Sequence, residues 1–163
     1  MKTFNDLADF SSEEINALLK LSRRLERKPE PHALEGKVLS LLFLSPSLRT
    51  LASFQAAMGR LGGASFVISP EISIHGLESR PGIVMDGAAA EHIREAVPVI
   101  ASYGDALGIR AFAERRSLKK DLADQEFKQL ASLADVPLIN ICLLYTSDAA
   151  DDTPCVDLGG RRI

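Results

Sequence analysis

The stretch VLSLLFLSPSLRTLASFQAAMGRLGG, residues 38–63, decides the fold expected of this chain. Residues 38–44 are apolar nearly throughout, which is typical of a strand covered on both faces of a parallel sheet. Residues 45–50 break that run, and the double glycine at 62–63 is typical of a helix end. In between, large apolar residues recur at helical spacing, at Leu51, Phe54, Met58 and Leu61. The stretch therefore predicts a buried strand, a short turn and a helix.

The rest of the chain alternates in the same way. A capping-box pattern of Ser11 and Glu14 opens the first further helix, and Pro98 predicts a kink or a break in the second. Helices are predicted over 12–27, about 89–103 and 118–134, strands over 64–69, 106–112 and 136–141, and a loop over 70–87. This alternation predicts an α/β fold, a three-layer domain with a central parallel sheet of about four strands and helices on both faces.

Composition excludes several classes of protein. The 163 residues suit one domain, and 46% hydrophobic with 25% charged residues is a globular balance. A net charge of −3 argues against a general nucleic-acid binder. No apolar run approaches the roughly 18 residues of a membrane helix, and the first residues show no apolar leader segment, so the cytoplasm is the expected compartment. Two cysteines, Cys142 and Cys155, are too few for a disulfide framework.

The turn at residues 45–50 is the candidate site. In a parallel α/β sheet, ligands bind beyond the carboxyl ends of the strands, and the first amides of a helix lack partners within that helix. An anion fits such a helix start, where Ser47 and Thr50 add hydroxyl donors and Arg49 adds a guanidinium. The pattern is equally compatible with an ordinary Ser-capped helix whose arginine is solvated. By residue pattern alone, both interpretations stay open.

Two motifs, which follow each other in the chain, resemble a known family and favour the interpretation as an anion site. Ser47, Arg49, Thr50, Ser53, Phe54, Leu61 and Gly62 match the carbamoyl-phosphate loop of the aspartate/ornithine carbamoyltransferase family. GIVMDGAAAEHIREAVPVIASYGDALGIRAF, residues 82–112, is similar to the branch that acts on N-acetylated or N-succinylated ornithine. The resemblance covers roughly residues 1–141, and it implies the carbamoyl-phosphate-binding domain of such an enzyme.

The resemblance also implies roles. Ser47, Arg49, Thr50 and the Leu48 amide would hold the phosphate of carbamoyl phosphate, while Arg110 would reach the carbamoyl oxygen and a phosphate oxygen. Arg110 and Thr50 are the implied catalytic residues. The full enzyme would transfer the carbamoyl group to the side-chain amine of an ornithine-type substrate in arginine biosynthesis, as a homotrimer. Neither a metal nor an organic cofactor is implied.

Two positions depart from the family pattern. Leu51 stands where the family usually has Arg, which removes one positive charge and predicts weaker or differently supported phosphate binding. His75 stands where the branch usually has a Trp, two residues before the pair Leu77-Glu78, in a loop that reaches a neighbouring subunit. His75 is therefore either a contact to the neighbouring subunit's phosphate or carboxylate ligand or a solvated loop residue.

The third departure concerns the end of the chain. The family continues after its fourth strand with a His-Pro-x-Gln motif and a second domain for the amine substrate. Residues 142–163 instead resemble a translated sequencing adapter, so the domain is expected to be 1–141, truncated, with a non-native tail. A fragment of this kind is expected to be inactive by itself. Two alternatives stay open, namely a non-catalytic anion-binding α/β module and an aspartate-type carbamoyltransferase.

One further cluster, Glu91, His92 and Glu95, permits two interpretations. One His with two Glu residues at a helix start is a weak pattern for a metal site. An acidic first turn with a polar cap explains the same residues.

Overall fold

The structure is a computed structural model, which describes residues 3–69, 77–78, 82–111 and 125–141. Its centre is a four-stranded sheet, and the α/β prediction is confirmed. The strands are β1 (Val38–Phe43), β2 (Ala64–Ile68), β5 (Ala106–Arg110) and β6 (Leu138–Asn140). They lie in the order β2-β1-β5-β6 and every pairing is parallel. All four carboxyl ends therefore meet at one edge of the sheet.

The four helices within the described residues agree with the predicted alternation. They are α1 (Ser12–Arg27), α2 (Leu48–Arg60), α3 (Ile93–Ser102) and α4 (Gln125–Ala131), with a short 3-10 turn at Leu7–Asp9. The capping box of Ser11 and Glu14 is present at the start of α1. Of the helix predicted over 118–134, residues 118–124 lie outside the described residues.

Two local predictions were wrong. Leu77–Glu78 (β3) pairs in parallel with Glu91–His92 (β4), although 70–87 was predicted as loop and 89–103 as helix. Strands of two residues are too short for a period of two to be read from the sequence. Of the kink or break predicted at Pro98, the break is absent, since α3 continues to Ser102: Pro98 lies on the exposed side, so water can satisfy the carbonyl of Arg94 that loses its amide partner.

Two apolar layers cover the two faces of the sheet. On one face Leu39, Leu41 and Phe43 of β1 pack with Met58 of α2. The other layer draws residues from β1, β5, β6, α3 and α4, namely Leu42, Leu107, Ile109, Leu138, Val97, Ile100, Phe127 and Leu130. Because side chains alternate along a strand, α2 lies on one face and α3 with α4 on the other.

Helix α1 differs from the others because no residue of it is buried. Its apolar stripe includes Leu18, Leu19 and Leu21, which are 43%, 53% and 42% exposed. Among the described residues, no helix is both long and apolar enough to cross a membrane.

Candidate anion-binding site at the carboxyl edge of the sheet

The central strands bring the candidate turn beside Arg110. Phe43, the last residue of β1, is the register partner of Arg110, the last residue of β5. One residue further on, the amide of Leu44 donates to the carbonyl oxygen of Arg110 over 2.8 Å. The turn that leads into α2 therefore starts at the strand end that carries Arg110.

Ser47 and Thr50 are in direct contact at the start of α2. Ser47 has extended backbone angles and is the N-cap of the helix. Its hydroxyl accepts a long hydrogen bond of 3.4 Å from the Thr50 amide and donates to the Thr50 hydroxyl over 2.9 Å. Its carbonyl oxygen accepts the first helical bond, from Leu51, over 3.0 Å. Both hydroxyls thus lie at the positive end of the helix dipole, where an anion is stabilised.

Leu48 and Arg49 occupy the exposed side of the first turn. The Leu48 side chain is 86% exposed, so this residue contributes its amide rather than its side chain to the helix start. Arg49 is also exposed, and the helical rotation of 100° per residue places it opposite the stripe formed by Leu51, Phe54 and Met58. Its guanidinium must reach around the end of the helix to meet an anion held by Ser47 and Thr50.

Arg110 has the opposite environment. It is only 4% exposed, at the end of β5, on the strand face that it shares with its partner Phe43. That face is the one on which α2 packs. Arg110 therefore adds a positive charge of limited solvent exposure on the face that α2 covers, at the strand end next to the turn that leads into α2.

The sequence-predicted residues are therefore brought together in part. Ser47 and Thr50 touch, and Arg110 lies beside the same turn, whereas Arg49 lies on the solvent side of α2. His75 lies outside the described residues. Ser53, which matched the family motif, donates through its hydroxyl to the Thr50 carbonyl over 2.9 Å and so supports the first turn.

The bond between Leu44 and Arg110 was missed by the sequence reasoning. It joins residues that are far apart in the chain, so no local sequence pattern predicts it. The only available signal was the placement of both segments at the ends of strands.

His92 is the N-cap of α3. Its Nδ1 accepts a hydrogen bond of 3.1 Å from the Arg94 amide, and the side chain is buried. The interpretation of this cluster as a helix start with a polar cap is thus confirmed, with Glu95 in the acidic first turn. Within the part of the chain that the structure describes, no group of three or more His, Cys, Asp or Glu residues is placed to hold a metal ion.

The parallel sheet and the helix start at its edge are those of an α/β domain with an anion-binding turn. The family described as aspartate/ornithine carbamoyltransferase, carbamoyl-P binding domain, matches residues 2–145. The chain belongs to this family. The resemblance stated from the motifs is confirmed.

Among curated relatives, the N-acetylornithine carbamoyltransferase of Xanthomonas campestris pv. campestris is 37% identical over 141 residues, covering 86% of this chain and 42% of the relative. The ornithine carbamoyltransferase of Prochlorococcus marinus strain MIT 9313 is 31% identical over 139 residues, covering 85% and 37%. The chain thus spans about two fifths of the length of these relatives.

The solved structures that match this chain include N-acetylornithine transcarbamylases. Acetylornithine transcarbamylase complexed with acetylcitrulline matches with a TM-score of 0.77 at 37% identity, covering 86% of this chain and 42% of that one. A mutant of N-acetyl-L-ornithine transcarbamylase complexed with carbamyl phosphate and N-succinyl-L-norvaline matches with a TM-score of 0.78, covering 87% and 43%.

Proposed function

We propose that this chain is the carbamoyl-phosphate-binding part of a carbamoyltransferase that acts on an N-acylated ornithine in arginine biosynthesis. The observation that carries the proposal is the Ser47-capped start of α2 beside Arg110, in a chain that belongs to the carbamoyltransferase family. The relatives named for N-acetylornithine support the acylated substrate over free ornithine.

In the proposed complex, the phosphate lies at the N-terminal end of α2. The amide of Leu48, the hydroxyls of Ser47 and Thr50, and the Arg49 guanidinium would donate to its oxygens. Arg110 would donate from the sheet side, to the carbamoyl oxygen and to one phosphate oxygen. Thr50 would also reach the carbamoyl oxygen.

The proposed chemistry is acyl transfer to an amine. The uncharged side-chain amine attacks the carbamoyl carbon, a C–N bond forms, and the C–O bond to phosphate breaks. Phosphate leaves with the electron pair and takes up the proton that the amine loses. Negative charge grows on the carbamoyl oxygen and on the departing phosphate, where fixed donors such as Arg110 and Thr50 lower the barrier. Holding both substrates in place lowers it further.

Several features of the whole protein belong to the same proposal. We place the complete enzyme in the cytoplasm as a homotrimer, with His75 in a loop that contacts a neighbouring subunit. We also propose that residues 1–141 form the carbamoyl-phosphate domain and that 142–163 are a non-native tail.

Titration of the 163-residue chain with carbamoyl phosphate and with inorganic phosphate tests the binding site. We expect saturable binding of both, and a loss of about tenfold or more for Arg110→Ala, because one charge-assisted contact is worth about 1.5–3 kcal/mol. Arg60→Ala removes the same charge from the far end of α2 and should bind like the unaltered chain. If both variants lost the same affinity, the loss would come from the change in net charge, and the proposed site would be contradicted.

Turnover requires an amine-substrate domain. Residues 1–141 joined to the matching remainder of the Xanthomonas campestris enzyme should form the carbamoylated product from N-acetyl- or N-succinylornithine. Arg110→Ala should lower kcat by about 10²–10³. A chimera that binds carbamoyl phosphate but transfers the carbamoyl group to neither of these amines would favour the non-catalytic alternative.

A further inference from the structure

Leu51 follows Thr50 in the first turn of α2 and faces the sheet. Its side chain is half-buried and packs against the apolar cluster of Leu39, Leu41, Phe43 and Met58. Its amide makes the first helical bond, to the carbonyl of Ser47. Leu51 therefore joins the capped turn to the surface of the sheet by two different contacts.

The same cluster also supports the strand end that bears Arg110. Phe43 belongs to the cluster and is the register partner of Arg110. One apolar layer thus lies beneath both parts of the candidate site, the helix start and the strand end.

We propose that Leu51 is a positioning residue for the anion site. Its side chain holds the first turn of α2 at the height above the sheet that lets Ser47, Thr50 and Arg110 reach one anion. This inference rests on the proposed function, because it concerns the same site.

Leu51 stands where the family usually has Arg, and the structure gives this difference another interpretation. The resemblance predicted weaker or differently supported phosphate binding, because Leu51 lacks the charge of the usual Arg. In the structure this position faces the core rather than the open end of the helix. A long cation at 51 has to leave the apolar layer, because an unpaired charge is costly to bury.

The test is a titration of the 163-residue chain with inorganic phosphate, with thermal unfolding recorded for every variant. Leu51→Ala should weaken phosphate binding about tenfold, because small misplacements of donors are costly. Leu51→Met should restore it, and Leu51→Arg should bind no more tightly than the unaltered chain. Met58→Ala removes a buried member of the same cluster two turns away, so it should lower the unfolding temperature yet keep phosphate affinity within about twofold.

Phosphate binding by Leu51→Ala at full affinity, or tighter binding by Leu51→Arg, would overturn the positioning role while leaving the proposed function intact. Should Leu51→Ala fail to fold, the phosphate affinity of Leu51→Val is compared with that of the unaltered chain instead. If the unaltered chain binds neither phosphate nor carbamoyl phosphate, the proposed function itself fails.

Discussion

A single carboxylate, Asp105, joins the amino ends of the two central strands, opposite the candidate site. One of its oxygens accepts from the Lys37 ammonium over 2.7 Å, and the other accepts from the Val38 amide over 2.9 Å. The hydrogen bond from the Lys37 side chain, and then the one from the Val38 amide, lower the pKa of Asp105 below its ordinary value of 3.8. The ionised carboxylate is therefore the form that stabilises the fold.

Asp105→Asn should lower the urea midpoint of unfolding at neutral pH. A lowered pKa contributes stability that is fully present above 3.8 and is lost as the pH falls through the value in the folded protein. The difference between Asp105→Asn and the unaltered chain should therefore shrink as the pH falls below 3.8. Lys37→Met keeps the Val38 bond and should show a smaller loss at neutral pH. A difference that stays constant across this range would show that ionisation of Asp105 is not its source.

Individual site residues differ in how far the sequence could predict them. The contact between Ser47 and Thr50 spans three residues at a helix start, so local capping rules predict it. The position of Arg110 depends on the strand order and on a register that local patterns do not contain. The facing of Leu51 was predictable, because it shares the helical spacing of Phe54 and Met58 and packs with them against the sheet.

At the scale of elements, the predicted strands and helices are confirmed where an apolar pattern extends over five or more residues. β1 and β2 each end one residue from the predicted bound, whereas α2 begins at Leu48, three residues before the apolar helical spacing starts at Leu51. The start of α3 was placed too early because Ala88, Ala89 and Ala90 favour a helix, whereas the actual N-cap is His92. The partner strand β3 supplies the pairing that keeps Glu91 and His92 extended.

The end of α2 depends on Gly62, which has φ of +82°. A Cβ atom there would overlap the carbonyl oxygen of Pro31, in the segment before β1. Gly62→Ala should therefore cost about 1–2 kcal/mol for the left-handed backbone and about 1–3 kcal/mol more for the overlap. Gly36, at φ of +72° with open space around its Cβ position, is the matched control.

Urea unfolding of both alanine variants separates the two costs. Gly36→Ala should lower the free energy of unfolding only by the cost of the left-handed backbone, about 1–2 kcal/mol. Gly62→Ala should lower it clearly more. Equal losses would mean that the approach of Pro31 to the end of α2 contributes nothing to holding this helix.

At the scale of the whole molecule, the sheet and α1 are stabilised in different ways. The sheet has an apolar layer on each face, whereas α1 has a capped start, basic residues in its last turn and an apolar stripe that stays exposed. Capping and dipole contacts each stabilise a helix by about 1 kcal/mol, less than burial of one large apolar side chain. The leucines of α1 therefore contribute to surface properties more than to the stability of this domain.

A substitution on that stripe should change the surface of the chain without unfolding it. Leu19 is 53% exposed, so Leu19→Glu should shift stability by no more than about 0.5 kcal/mol, whereas a buried leucine loses about 2–5 kcal/mol on truncation. The same change should reduce the fluorescence of a bound hydrophobic dye, since it interrupts an exposed apolar patch. Lys20→Glu, on the charged side of α1, should leave the dye signal unchanged. A large loss of stability in Leu19→Glu would mean that the stripe is covered in solution, and the exposure of α1 would then have to be rejected.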